Sequence, residues 1–287
     1  MSEFGIILID KPVGITSFDV VKKIRKITSI RKVGHTGTLD PFASGLLPVC
    51  IGKATRIADK LSSKDKEYVV TMKLGIKTDT GDKTGKIIEE KEIQKFIIDD
   101  LKQIITDILS ISEQIPPKFS AVKINGKRSY ELARKDEEII LKARPIKIMN
   151  FEILEYEHPF ISYKTLVSKG TYIRVLSETF AEKLDAIATT WELRRTKIGK
   201  LNIQNSIKPE ELTQENWKNY LSSIPDILPD FLRITLKKDE IESFRNGRFF
   251  AVAETNQNEI MVLDEENNCI GFAEISNNIF KPKMVLI

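Results

Sequence analysis

Residues 34–56 read GHTGTLDPFASGLLPVCIGKATR. Glycines at 34, 37, 45 and 52 and a run of polar side chains describe a tight loop, and the LLPVCI that follows is the apolar run of a strand. Gly34 and Gly37 let the backbone approach a ligand closely, because no Cβ stands in the way. Asp40 precedes a proline, whose ring keeps the preceding residue out of helical φ/ψ. A carboxylate displayed on such a rigid loop can act as a nucleophile or a general base. Taken alone, an Asp-Pro pair marks a turn more often than a reaction centre. His35, beside two glycines, suits either a bond to backbone or stacking on a base. Gly52-Lys53-Ala54-Thr55 falls short of a phosphate-binding loop, since Ala54 stands where Ser or Thr is required.

Outward from this loop the chain alternates short apolar runs without a regular βαβ rhythm. Residues 4–9 (FGIILI) predict a buried strand, ended by the turn Asp10-Lys11-Pro12-Val13-Gly14. Ser17 is placed to cap a helix with Phe18, Val21, Ile24 and Ile27 inward and its basic residues outward. Strands are expected at 68–74, 144–156 and 161–168, and helices at 93–111 and 175–184. Pro209, Pro225 and Pro229 mark 205–232 as a linker. Beyond it come a short helix at 238–246 stopped by Gly247, a hairpin of 259–264 with 269–275, and a last strand ending at Ile287. This gives an α+β chain with two parts, 1–230 and 231–287, the second a small β-rich module. A module joined by a linker should be removable, leaving a main part that still folds and works but binds its ligand less well.

The 287 residues are 41% hydrophobic, enough for a real core, with a net charge of +4 and a pI near 8.8. The balance permits a polyanionic partner without demanding one, but the distribution is uneven. Residues 22–32 (KKIRKITSIRK) and 118–128 (KFSAVKINGKR) carry Lys and Arg with no acid, as a phosphate-binding face requires. Two distant cysteines, Cys50 and Cys269, imply no disulfide framework and suit a reducing cytoplasm. With only His35 and His158 and no ligand spacing, no metal site is expected. No stretch of about 18 apolar residues is present, so neither a membrane span nor export is expected.

The run 34–56 resembles the signature of the TruB family of pseudouridine synthases. Four further stretches resemble that family in its order: Lys11-Pro12-Val13-Gly14-Ile15-Thr16-Ser17; Lys66-Glu67-Tyr68 with Leu74-Gly75 and Thr78-Asp79-Thr80-Gly81-Asp82; Pro116-Pro117-Lys118-Phe119-Ser120-Ala121 through Tyr130-Glu131-Leu132-Ala133-Arg134; and Gly170-Thr171-Tyr172-Ile173-Arg174 with Leu193-Arg194-Arg195-Thr196. Together they span about residues 5–200. The chain departs from the family where Thr179-Phe180-Ala181 and Asp185 replace an Asp-Leu-Gly and a second glycine, and where Lys135 replaces another glycine.

The resemblance implies a mixed, largely antiparallel sheet flanked by helices, a thumb-like RNA-gripping insertion at about 123–143, and a tail resembling a PUA-type RNA-binding module. It implies a tRNA pseudouridine synthase acting in the cytoplasm on the T-loop uridine, as a monomer with no obligate protein partner. By resemblance, Asp40 is the catalytic aspartate, Tyr68 packs on the flipped uracil, and Arg174 pairs with the catalytic carboxylate. Tyr172 lines the same pocket, Leu193 is an apolar wall, and His35 fills space in the opened T loop. Lys11, Lys118, Lys123, Arg128, Arg194 and Arg195 are the expected phosphate contacts. Turning uridine into pseudouridine changes no oxidation state and adds no group, so no cofactor is expected. Two other classes stay open: a tRNA-binding chaperone that also aids folding, and a guide-RNA-dependent relative. Asp40, Tyr68 and Arg174 together favour catalysis. The Val122–Arg144 segment and the lack of a basic C-terminal tail favour the stand-alone bacterial type.

Overall fold

The computed structural model describes residues 4–120, 122–124, 126–129, 132, 140–253 and 256–287. Strand β1 (Gly5–Lys11) has Ile6, Ile7, Leu8 and Ile9 all buried, as an apolar run without alternation requires when both faces of a sheet are covered. Strands β2 (Val33–His35) and β3 (Ser44–Ile51) flank the glycine-rich loop. In β4 (Lys66–Leu74) buried positions alternate, with Tyr68, Val70, Met72 and Leu74 inward. With β5 (Ile148–Glu157), β6 (Phe160–Val167), β7 (Ala188–Ile198) and β8 (Leu201–Asn202) they form an eight-stranded sheet of order β1-β3-β7-β4-β6-β5. Strand β2 pairs with β3 and β8 with β7. Every pairing is antiparallel except β3 with β7, where Ser44 and Gly45 face Arg194 and Arg195. Gly45 makes that approach possible: its φ is +110°, and a Cβ would lie 2.3 Å from the Arg195 carbonyl oxygen. The sheet is the mixed, largely antiparallel one expected.

Helix α1 (Ser17–Thr28) differs from expectation at its start. Its cap is Thr16, whose hydroxyl accepts from Asp19 N–H at 3.0 Å while the Asp19 carboxylate accepts from Thr16 N–H at 3.1 Å. Ser17 is buried instead; its hydroxyl accepts from Leu39 N–H at 2.9 Å and donates to Leu39 C=O at 3.2 Å. Turning Ser17 inward brings Val20, Val21 and Ile24 to the core and leaves Phe18 exposed. Helix α2 (Ile173–Glu182) buries Phe180 against the rings of Phe151 and Tyr163, at centroid distances of 5.3 and 6.3 Å. The helix expected over 93–111 is two short ones, Ile98–Gln103 and Ile105–Leu109, which bury only Leu101 and Ile108. Ile97, Ile98, Ile104 and Ile105 there are β-branched, which lowers helix propensity.

Residues 205–232 are not a free linker. Leu212 and Trp217 join the main core, and Ile224, Ile227 and Leu228 join a second one. The segment also covers the open edge of β1, since Ile207 and Ser222 exchange backbone hydrogen bonds with Ile6, Leu8 and Asp10. After it, β9 (Arg233–Thr235), α3 (Lys238–Arg245), β10 (Phe250–Ala251), β11 (Gln257–Leu263), β12 (Cys269–Ser276) and β13 (Ile279–Val285) build a second sheet of order β9-β11-β12-β13-β10. One apolar cluster joins the two sheets: Ile6, Leu8, Leu46, Cys50 and Ile57 with Met261, Leu263, Phe272 and Leu286. Lys60 spans the joint, its ammonium 4.4 Å from the Phe272 ring centroid and paired with Glu259, and Arg56 donates to Val285 C=O. Of the expected thumb, the hairpin Lys123–Ile124 with Lys127–Arg128 is described; residues 133–139 and the side chains of Lys123 and Arg128 lie outside the described residues. Among the described residues no helix is long and apolar enough to cross a membrane.

Candidate active site

The glycine-rich loop between β2 and β3 forms one wall of a cavity of about 310 Å3, through residues 36–40. Its floor is the sheet, where Tyr68 of β4 and Leu193 and Arg195 of β7 face it. The opposite wall is the start of α2 with the turn before it, Gly170 to Arg174, together with Ser120. Gln114 fixes that helix start: its side chain accepts from Tyr172 N–H at 2.8 Å and donates to Tyr172 C=O at 3.1 Å.

Arg174, the second residue of α2, is 5% exposed and fully engaged. Nε lies 3.1 Å from Asp40 Oδ2; Nη1 donates to Thr80 C=O at 2.6 Å and lies 3.6 Å from Asp82 Oδ2; Nη2 donates to Phe119 C=O at 2.8 Å. A guanidinium clamped by these three other partners presents its remaining edge to Asp40 in one orientation. Asp82 is itself held by Thr84, whose N–H and hydroxyl both donate to Asp82 Oδ1. Asp40 keeps 38% of its side chain open to the cavity. Enclosure by the cavity walls raises its pKa above the ordinary 3.8, Arg174 pulls it down, and the Asp82 charge pushes it up again. The result is an ionisable carboxylate, partly dehydrated and aimed, beside an aromatic ring and an apolar wall. Such a group can attack or deprotonate a planar guest bound against Tyr68.

The structure therefore brings Asp40, Tyr68, Tyr172, Arg174, Leu193 and Arg195 together around one cavity. His35 stands behind it, where its Nδ1 accepts from Gly37 N–H at 3.3 Å and shapes the loop. Two expected phosphate contacts are corrected. Lys11 is fully buried, its ammonium donating to the carbonyls of Pro12 and Ile15, and dehydration lowers its pKa to about 8 despite nearby Asp40. Arg195 is also buried, donating to Leu46 C=O at 2.8 Å and Gly37 C=O at 3.1 Å. Arg195 holds the loop from below, Lys11 ties the turn after β1, and neither offers its charge at the surface. Lys118 is exposed, and Arg194 is half-exposed with one edge on Asp10 at 2.7 Å. Sequence reasoning assigned no role to Asp82 or Gln114. Asp82 was visible in the Thr78–Asp82 motif, whereas Gln114 carried no local signal.

A family model described as "TruB family pseudouridylate synthase (N terminal domain)" matches residues 25–173. A protein of Clostridium tetani named "tRNA pseudouridine synthase B" is 39% identical, with 99% of each chain covered. One of Clostridium novyi with the same name is 46% identical over 79% of this chain and 78% of its own. Among solved structures, a chain of a Cbf5-Nop10-Gar1 complex is similar at a TM-score of 0.75 and 25% identity, covering 99% of this chain and 85% of that one.

Proposed function

The chain belongs to the TruB family of pseudouridylate synthases, and from that premise we propose that it isomerises the T-loop uridine of tRNA, U55, with Asp40 as the catalytic carboxylate. The observation that carries this reading is the Asp40–Arg174 pair, 3.1 Å apart at the wall of a cavity floored by Tyr68. In the reaction the N1–C1′ bond breaks, the base turns, the C5–C1′ bond forms, C5 loses a proton and N1 gains one. Atoms and electrons balance within one nucleotide. Flipping the base out of its stack costs a few kcal/mol. Stacking on Tyr68 returns about 1–3 kcal/mol of it. Tyr172 lines the pocket and Leu193 bounds it, while His35 supports the loop and fills the space the base vacates. The test is tritium release from tRNA carrying 5-tritiated uridine. Release from tRNA with the T-loop uridine, and none when that uridine alone is replaced by cytidine, is the expected result; equal release from both would defeat the assignment.

The charge state of Asp40 sets an expected pH dependence. The reactive form is ionised, and its pKa lies above 3.8. The acid limb of kcat/KM should therefore fall at a higher pH than an ordinary Asp would give, with activity rising as pH rises through it. Because the folded chain holds this proton more tightly than the unfolded one, the same carboxylate opposes folding above its folded pKa, and the penalty fades on acidification. Asp82→Asn removes a charge that raises Asp40, so it should move the limb to lower pH. A limb that stays in place, measured by pH-rate profiles of both proteins, would disconnect Asp82 from Asp40.

The tRNA is held through the exposed cations of the 22–32 segment, Lys118 and Arg194, with Lys123 and Arg128 of the thumb. Log affinity for a T-arm stem-loop should fall against log salt with a slope of about −0.7 to −0.9 per phosphate contacted. A flat response in filter binding between low and moderate salt would remove this grip. The reading has the enzyme work as a monomer in the cytoplasm without a protein partner, as the resemblance to the stand-alone bacterial type implies.

A further inference from the structure

Four buried side-chain atoms have no hydrogen-bond partner among the described residues, and two of them belong to residues that line the same cavity: Thr36 Oγ1 and Ser120 Oγ. The residues are 2% and 5% exposed. The other two atoms, Asp10 Oδ1 and Arg25 Nε, belong to groups already engaged elsewhere, with Arg194 and with Val33 C=O. Thr36 and Ser120 have no such second bond from the side chain. Folding gains nothing from either hydroxyl, because valine or alanine would occupy the same place without burying an unpaired polar group. Their backbones are nevertheless fixed. Thr36 N–H donates to Pro48 C=O at 3.2 Å, four residues ahead of Asp40 on the loop. Ser120 follows Phe119, whose carbonyl accepts from the same Arg174 that meets Asp40. Two residues with unused hydroxyls, on two walls, thus sit on the segment that carries Asp40 and on the one that accepts from Arg174.

We propose that Thr36 and Ser120 donate hydrogen bonds to the two carbonyls of the flipped uracil and hold the base while it turns. This rests on the uridine-isomerising reading above. Uracil presents O2 and O4 as acceptors on either side of N3–H. Bringing C5 to the place of N1 is a half-turn about the N3–C6 axis, and that half-turn exchanges O2 with O4. A pair of hydroxyl donors meets an acceptor at each place both before and after the turn. A hydroxyl also swings about its C–O bond, so it can follow the base between the two. Neither hydroxyl gives up its proton; the C5 proton and the N1 proton are handled elsewhere.

The experiment is single-turnover pseudouridine formation by Thr36→Val, Thr36→Ser and Ser120→Ala, on T-arm stem-loops whose target is uridine, 2-thiouridine or 4-thiouridine. Thr36→Val and Ser120→Ala should each be slowed about 3- to 10-fold, the worth of one net hydrogen bond. Thr36→Ser, which keeps the hydroxyl, should retain the rate. Melting temperatures should stay or rise, because an unpaired buried hydroxyl has been removed; a purely structural role predicts the opposite sign. Sulfur accepts hydrogen bonds poorly, so a thio target should slow the wild type, and each hydroxyl-less variant should lose little more on at least one of the two thio targets. Variants as fast as wild type on uridine, or thio effects that add in full on every variant, overturn the proposal. A wild type that leaves the T-loop uridine unconverted overturns the functional reading and this proposal with it, so the two failures are told apart by the wild-type lane.

Discussion

Asp40→Asn is expected to abolish turnover, by on the order of 10⁴-fold or more in single-turnover rate, with tRNA affinity close to wild type. Asparagine keeps the size of the side chain and can still accept from Arg174 Nε, but it has no basic or nucleophilic oxygen. Each factor of ten is about 1.4 kcal/mol of barrier, so the carboxylate is being asked for more than about 5 kcal/mol. The rest of the site should hold its shape. Arg174 remains bonded to the Thr80 and Phe119 carbonyls and faces Asp82, so losing one counter-charge does not release it. The loop keeps its ties through Ser17 to Leu39 and Arg195 to Gly37. Because burial raises the Asp40 pKa, the ionised carboxylate opposes folding near neutral pH, so the amide should not lower the melting temperature. Filter binding and rate on one preparation decide the matter. A variant with a tenth of the wild-type rate would place the chemistry on another group.

Much of this site was legible because its pieces are local. The glycine spacing of 34–45, the Asp-Pro pair and the apolar run after them specify a loop entering a strand, and that is what is built. Arg174 and Asp40 are 134 positions apart, so composition and periodicity alone could not join them; motif order could. Burial was the part that did not show. Lys11 and Arg195 read as surface cations because charge usually seeks water, yet both are buried and spend their donors on backbone carbonyls. Ser17 and Thr16 are adjacent hydroxyls that can both cap a helix, Ser the slightly better, and the contact with Leu39 turns Ser17 inward. The replaced glycine at Asp185 shows the converse. Asp185 takes φ +51° just beyond α2, a left-handed conformation that glycine favours and Asp tolerates, so Asp can stand there without forcing a different backbone.

Deleting residues from Arg233 onward is expected to give an insoluble or strongly destabilised chain, contrary to what the proline-bearing 205–232 stretch suggested. Prolines there shape turns of a buried segment; Pro225 opens a helical turn whose Ile224, Ile227 and Leu228 pack into the cluster shared by both sheets. The deletion removes Met261, Leu263, Phe272 and Leu286 from that cluster and uncovers apolar side chains beside them, such as Ile6, Leu8, Leu46 and Ile57. Fully burying one such side chain is worth about 1.5–3 kcal/mol. Exposing a handful forfeits an amount comparable to the whole stability of a domain, about 5–15 kcal/mol. The contacts of Lys60 with Glu259 and Phe272, and of Arg56 with Val285, disappear as well. Lys60 and Arg56 lie on the segment that leads directly from the glycine-rich loop and β3 to Ser62, a residue of the cavity wall, so the damage should reach the site. Residues 1–232, purified and melted beside the full chain, should aggregate or lose more than about 10 °C. Phe272→Ala provides the graded version: it should cost about 3–5 kcal/mol in the full chain through the cavity it leaves. A soluble, monomeric 1–232 fragment with wild-type melting and only a raised KM would show instead that the two sheets fold independently and that their shared cluster is a docking contact between finished units.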